Sequence, residues 1–219
     1  MIPARVFDLG FRGYAETLAL QEDLVARRAR GEIEDSLLLV EHPPVVTLGR
    51  RIRREEVGDP GVPVFEVSRG GEATFHGPGQ VVGYAIVRLD ARRTDLRRFL
   101  RDLEETVIRA LADFGIEGRR APGLTGVWVG ERKIASIGVA VRRWVSYHGF
   151  ALNVKPASAA FDRIRPCGLD PGVYTSMAAE AGREFCLEEV KARIAERFGE
   201  VFDLGRPSRE GRTTLSAKE

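Results

Sequence analysis

Two residues in this sequence have the types and settings for covalent chemistry. Cys167 stands in Pro166-Cys167-Gly168, a loop address at which a thiol stays reachable, and the thiolate is the form of cysteine that attacks. Lys133 opens Lys133-Ile134-Ala135-Ser136-Ile137-Gly138, a small and apolar stretch in which loss of water disfavours the charged ammonium. Together they suit acyl transfer, with a nucleophile to carry the group and an amine to manage protons. Each also has a plainer reading. A free cysteine packs as a small hydrophobe, and a strand lysine ends in solvent. Residue types and spacing leave both readings open.

A third feature is the run Arg69-Gly70-Gly71-Glu72-Ala73-Thr74-Phe75-His76-Gly77-Pro78-Gly79-Gln80. Glycine lets the backbone take unusual torsions and approach a ligand closely. Gly77-Pro78-Gly79 alone reads as a hairpin turn, but Arg69 and His76 bracket the loop and give a backbone-lined slot two polar handles. The run ends in no Gly-Lys-Ser/Thr and lacks Gly-x-Gly-x-x-Gly, which disfavours nucleotide phosphate binding by either route. His148-Gly149-Phe150-Ala151-Leu152-Asn153 repeats the histidine-glycine pairing, either for packing or to line an acyl channel. His42, His76 and His148 occur singly, without the close second ligand of metal motifs, so no metal site is expected. Cys186, in Glu184-Phe185-Cys186-Leu187 at the start of a helix, is assigned to packing.

These residues must be positioned by elements legible in the pattern. Residues 4–8 predict a short strand, Tyr14 to Arg30 a helix that can bury Leu18, Leu20 and Leu24, and Ser36 to Val40 a buried strand. His42-Pro43-Pro44 enforces an extended turn before a strand at Val45 to Leu48. Strands at Val64 to Val67 and Val81 to Val87 flank the glycine-rich run, which reads as a loop. Leu96, Leu100, Leu103, Val107, Leu111 and Phe114 recur at three- and four-residue intervals, the stripe of an amphipathic helix. Thr125 to Val129, Lys133 to Val141 and Ser146 to Val154 read as an antiparallel meander, with Gly130-Glu131 as a tight turn. Strand alternation puts Lys133, Ala135 and Ile137 on one face and Ile134, Ser136 and Gly138 on the other. A last helix falls near Leu187 to Phe202, and Gly205 to Glu219 is a polar, frayed tail. Irregular interleaving of strands and helices gives an α+β fold with a mixed or mostly antiparallel sheet flanked by helices. The expected organisation is one catalytic domain over 1–204 and a tail over 205–219.

The 219 residues fit a single domain. The 43% hydrophobic and 30% charged residues are ordinary globular composition. A formal charge of +2 gives no case for nucleic acid. Arginine clusters at Arg50, Arg51, Arg53 and Arg54, at Arg92, Arg93, Arg97, Arg98 and Arg101, and at Arg119 and Arg120 are either solvated surface or a docking surface for an acidic protein or for phosphate. Two cysteines make no disulfide framework. With no leader pattern and no apolar stretch near the ~20 residues that span a bilayer, a soluble cytoplasmic protein away from membranes is expected.

The motifs, taken in order, resemble the lipoyl(octanoyl) transferases of lipoate biosynthesis: Glu41-His42-Pro43-Pro44 with Thr47-Leu48-Gly49, Arg69 through Gln80, Lys133 through Gly138, His148-Gly149 with Leu152-Asn153, and Cys167-Gly168. The resemblance covers most of Val40 to Gly168 and implies a fold shared with the biotin and lipoate protein ligases. It implies transfer of octanoyl from octanoyl-acyl carrier protein to a specific lysine of lipoyl domains, those of 2-oxoacid dehydrogenases and of the glycine cleavage H protein, without a cofactor. By the same resemblance Cys167 carries the acyl thioester and Lys133 tunes it. The segments that hold the acyl group would be Arg69, Gly70, Gly71, Glu72, Ala73, Thr74, Phe75 and His76, then Ser136, Ile137 and Gly138, then Gly149, Phe150 and Ala151. Two rivals are an ATP-dependent lipoate or biotin protein ligase, which needs no nucleophilic cysteine, and a non-catalytic module that binds acyl carrier protein or lipoyl domains. A cysteine hydrolase is a third.

Overall fold

The structure, a computed structural model, describes residues 5–89, 95–155 and 173–204 and, by backbone alone, 4 and 208–210. In chain order the main elements are strand β1 (Ala4–Phe11), helix α1 (Tyr14–Ala29), strands β2 (Asp35–Glu41), β3 (Val45–Leu48), β4 (Val64–Glu66), β5 (Ala73–His76) and β6 (Gln80–Ile86), and helix α2 (Leu96–Ala112). Strands β7 (Val127–Val129), β8 (Arg132–Arg142) and β9 (Val145–Asn153), helices α3 (Met177–Ala181) and α4 (Leu187–Val201), and strand β10 (Ser208–Glu210) complete the series. Among the described residues the strands form a seven-stranded sheet, ordered β10-β1-β2-β6-β9-β8-β7, and a three-stranded sheet, ordered β4-β3-β5. Pairing is parallel where β1 meets β2 and β10, and antiparallel from β2 through β6 and β9 to β8 and β7. The expected α+β class with a mixed, mostly antiparallel sheet is the observed one.

The large sheet is covered on both faces, which is why β2 is an unbroken apolar run rather than an alternating one. Leu37 and Leu39 pack with Phe99, Leu103, Val107 and Leu111 of α2 and Val190, Ile194 and Phe198 of α4. Leu38 and Val40 pack on the other side with Tyr14, Leu20, Leu24 and Val25 of α1. Asp95 caps α2, its side chain accepting the Arg97 N–H at 2.8 Å, the satisfaction of an orphan donor that a helix start requires. A smaller cluster of Val46, Leu48, Val57, Ala73 and Phe75 fills the three-stranded sheet.

Several expectations are corrected. The glycine-rich run is not all loop: Ala73–His76 forms β5, antiparallel to β3. The tail is not wholly frayed, for Ser208–Glu210 pairs with β1 and extends the sheet. Cys186 is exposed at the N-cap of α4 and does not pack. Phe185 takes the buried place instead, edge-on to Phe114 with centroids 5.3 Å apart. No helix among the described residues is long and apolar enough to cross a membrane.

Candidate functional site

Lys133 reaches its position through a register fault. Trp128 pairs with Lys133 but Val127 pairs with Ala135, so β8 carries one extra residue, Ile134, opposite β7. Such a bulge reverses the alternation beyond it and re-aims a side chain. Ile134 and Ala135 therefore enter the core, while Lys133 joins Ser136, Ile137 and Gly138 along a cavity of about 350 Å³. Unbroken alternation predicted Lys133 beside Ala135 and Ile137; the bulge separates it from Ala135. The lysine is only 5% exposed, and its Nζ lies 5.7 Å from the centre of the Trp128 ring, within cation-π range. Lys191, also buried, bonds Asp8 and Glu188 at 2.9 and 3.1 Å and so ties α4 to β1.

The opposite wall is the Arg69-Gly70-Gly71 turn. Gly70 N–H donates to Val139 O of β8 at 3.0 Å, and Gly71 O accepts from Arg51 N–H at 3.1 Å. The buried Arg69 guanidinium donates to Thr47 O at 2.7 Å, Thr47 Oγ1 at 2.9 Å and Gly70 O at 3.0 Å. This packing requires missing side chains. A Cβ on Gly49 would collide with Gly71 O and stand 2.7 Å from Arg69 Nη1, and one on Gly138 would stand 3.1 Å from Gly70 O. Along β5 the strand period sorts the remaining residues. Thr74 and His76 line the cavity with Glu72, whereas Ala73 and Phe75 point into the small apolar cluster.

The third wall comes from β6 and β9. Gly149, Phe150 and Ala151 line the cavity with Val82 and Tyr84. Gly83 and Gly149 allow the two strands to close up, since a Cβ on Gly83 would enter the Phe150 ring and one on Gly149 would strike Gly83 O. His148 sits at φ +58, a left-handed conformation that is uncommon for residues other than glycine and is met at functional sites. Gln21 of α1 holds it there, its Oε1 accepting the His148 N–H at 2.9 Å.

The three histidines of the chain, separate in sequence, converge here. His42 and His76 have ring centroids 6.0 Å apart, and His76 stacks on Tyr14 at 6.1 Å. His42 is fully engaged, Nδ1 with Arg12 O at 2.7 Å and Nε2 with the Tyr84 hydroxyl at 2.8 Å. Burial holds all three imidazoles below their usual pKa. For His76 the positive fields of His42 and Arg69 add to burial and the pKa falls well below normal; for His148, burial and then Arg69 push it down to about 3. Burial raises the pKa of Tyr14 and Tyr84. The histidine and tyrosine side chains gathered here are thus polar but uncharged near neutral pH, beside the charged Arg69.

The structure therefore brings Lys133, Arg69 to Glu72, Thr74, His76, Ser136 to Gly138 and Gly149 to Ala151 around one cavity, and leaves Ala73 and Phe75 outside it. Cys167 lies outside the described residues, as do Arg92 and Arg93. Sequence reasoning missed Tyr14, Tyr84 and Trp128 as lining residues, because a buried aromatic carries the same pattern whether it faces core or cavity. Arg119 and Arg120 are exposed and bonded within the protein: Arg119 donates to Gly130 O at 2.6 and 3.0 Å, and Arg120 to Glu104 and Glu105 at 3.1 and 2.7 Å. A buried amine, backbone-lined walls and apolar panels suit an aliphatic acyl chain whose reacting end meets Lys133.

Residues 13–199 match the lipoyl protein ligase A/B catalytic domain. The chain is 50% identical over 196 residues to an octanoyltransferase of Geobacter metallireducens, and 52% identical over 207 residues to one of Rubrobacter xylanophilus. In both cases the match covers 90% of this chain and 92% of the relative. A crystal structure of lipoate-protein ligase A bound with ATP shares the fold, with a TM-score of 0.82 at 18% identity, over 97% of this chain and 90% of that one.

Proposed function

We propose a route of acyl transfer from the premise that this chain belongs to the octanoyltransferase family, within the lipoyl protein ligase A/B catalytic domains. Its activity is octanoyl transfer to lipoyl domains. On the reading that the residues favour, the donor is octanoyl-acyl carrier protein. The acceptors are lysines of the lipoyl domains of 2-oxoacid dehydrogenases and of the glycine cleavage H protein. Both reactions take place in the cytoplasm, where Cys167 stays a free thiol.

In the first half-reaction Cys167 Sγ bonds to the thioester carbonyl carbon as the bond to the carrier sulfur breaks. Lys133 Nζ takes the Cys167 proton and returns it to the departing thiolate. In the second, the acceptor amine attacks the acyl-cysteine, Lys133 takes its proton, and the Cys167 thiolate leaves. Thioester for thioester is an even exchange, while amide formation runs downhill and completes transfer. Backbone N–H groups along the glycine-lined walls are available to the oxyanion. The observation that carries this reading is Lys133 itself, turned by the β8 bulge into the same cavity as the Arg69 to His76 wall.

The ligase rival shares the fold, so fold does not separate the two; the chemistry does. Lys133→Ala should cost roughly 10²- to 10⁴-fold in transfer, the usual worth of a general acid–base group, with binding of the acyl carrier protein retained. Full transfer by Lys133→Ala, or an octanoyl-adenylate formed from free octanoate and ATP, would overturn the proposal.

A further inference from the structure

Gly126, at the entry to β7, is held from one side and faces the Lys133 stem on the other. Its N–H donates to Glu104 Oε1 at 3.1 Å. A Cβ on Gly126 would stand 2.7 Å from Lys133 Cε and 2.7 Å from Ala135 O, at a φ of +133, so its bare backbone is the wall along which the lysine stem lies. Only glycine takes this torsion without strain.

Glu104 is a carboxylate on α2 with a side chain 1% exposed. A charge buried that deeply must be paired, and its two oxygens divide the task. Oε2 accepts from Arg101 Nη1 at 2.7 Å and Arg120 Nε at 3.1 Å, leaving Oε1 for the Gly126 peptide. Arg120 also donates to Arg101 O at 3.1 Å and Glu105 Oε2 at 2.7 Å, which fixes the clamp to the helix. Gly123, Leu124 and Thr125, just before Gly126, line the cavity, so the same tie sets its rim.

We infer that Glu104 is a positioning residue for Lys133: by anchoring the Gly126 peptide it fixes the wall that directs the lysine stem into the cavity. The inference rests on the role given to Lys133 above. Its test reads the lysine directly, because the chain has four lysines, Lys133, Lys155, Lys191 and Lys218. Carbon-13 labelling at lysine Cε should give four resolvable signals in the full-length protein, with Lys133→Arg identifying one.

Glu104→Ala should move the Lys133 signal and its titration while sparing the other three, and lower kcat about 10- to 100-fold, as misplacement of a reacting group does, with KM for the donor little changed. Glu104→Gln keeps an oxygen for the Gly126 N–H but turns an amide NH2 toward the Arg101 and Arg120 donors, so it should restore both readouts only in part. Gly126→Ala should disturb the Lys133 signal with Glu104 intact, and it carries the test if Glu104→Ala does not fold. An unchanged Lys133 signal and titration in folded Glu104→Ala, or in Gly126→Ala, overturns the inference. A displaced signal combined with full transfer by Lys133→Ala supports the positioning and sinks the acyl-transfer role of Lys133.

Discussion

At the scale of single residues, the site is shaped as much by absent side chains as by present ones. Gly49 makes room for the Arg69 guanidinium and the Gly71 carbonyl, so Gly49→Ala must push the Arg69 to Gly71 turn off its seat. We expect Gly49→Ala to destabilise the protein by about 1–3 kcal/mol, the usual cost of overpacking, and to slow transfer. Gly58→Ala, with nothing within 4 Å of the new Cβ, should do neither. Thermal melts and a transfer assay on the two variants decide this, and equal behaviour would contradict the role given to the turn. Much at this scale was legible. The isolated lysine, the bracketed glycine run and the His148-Gly149 pair all drew notice by type and spacing. Ala73 and Phe75 were not separable from their neighbours while the run read as a loop, because only a strand imposes alternate facing.

At the scale of elements, β3 was legible to the residue because Pro43-Pro44 and Gly49 bound the short Val45–Leu48 run, and α2 by the 3.6-residue period of its stripe. The β8 bulge was not legible. It is a property of two strands in register, and the sequence of β8 alone alternates normally. Without it Lys133 is set beside Ala135, which enters the core, and opposite Ser136 and Gly138, with which it lines the cavity. Helix α3 was missed for a different reason. Five residues are too few to show a period, and its cap, Ser176 accepting from Ala179 N–H at 3.3 Å, is a signal shared with turns. Strand β10 lies in a polar segment whose pairing with β1 depends on the sheet edge it meets, not on its own hydrophobicity.

At the scale of the whole molecule, gathering all three histidines as neutral groups inside the fold links stability to pH. The unfolded chain takes up these protons below about pH 6.5, the ordinary histidine value, whereas folded His148 resists until about pH 3. The folded state therefore keeps its full stability above about pH 6.5 and loses it as pH falls through that window, at about 1.4 kcal/mol per pH unit for each such histidine. His148→Asn removes one proton and keeps a residue tolerant of positive φ. Denaturant titrations between pH 6 and 5 should show a slope shallower by about 1.4 kcal/mol per pH unit, and an unchanged slope would contradict the burial of a neutral imidazole. On the proposed route the protein itself carries the acyl group between donor and acceptor. Intact and peptide mass spectrometry after mixing with octanoyl-acyl carrier protein, without acceptor, tests it most directly. One octanoyl group is expected on Cys167, absent in Cys167→Ser and discharged on adding a lipoyl domain. No adduct on the wild-type protein, or an adduct on another residue that persists in Cys167→Ser, would contradict it.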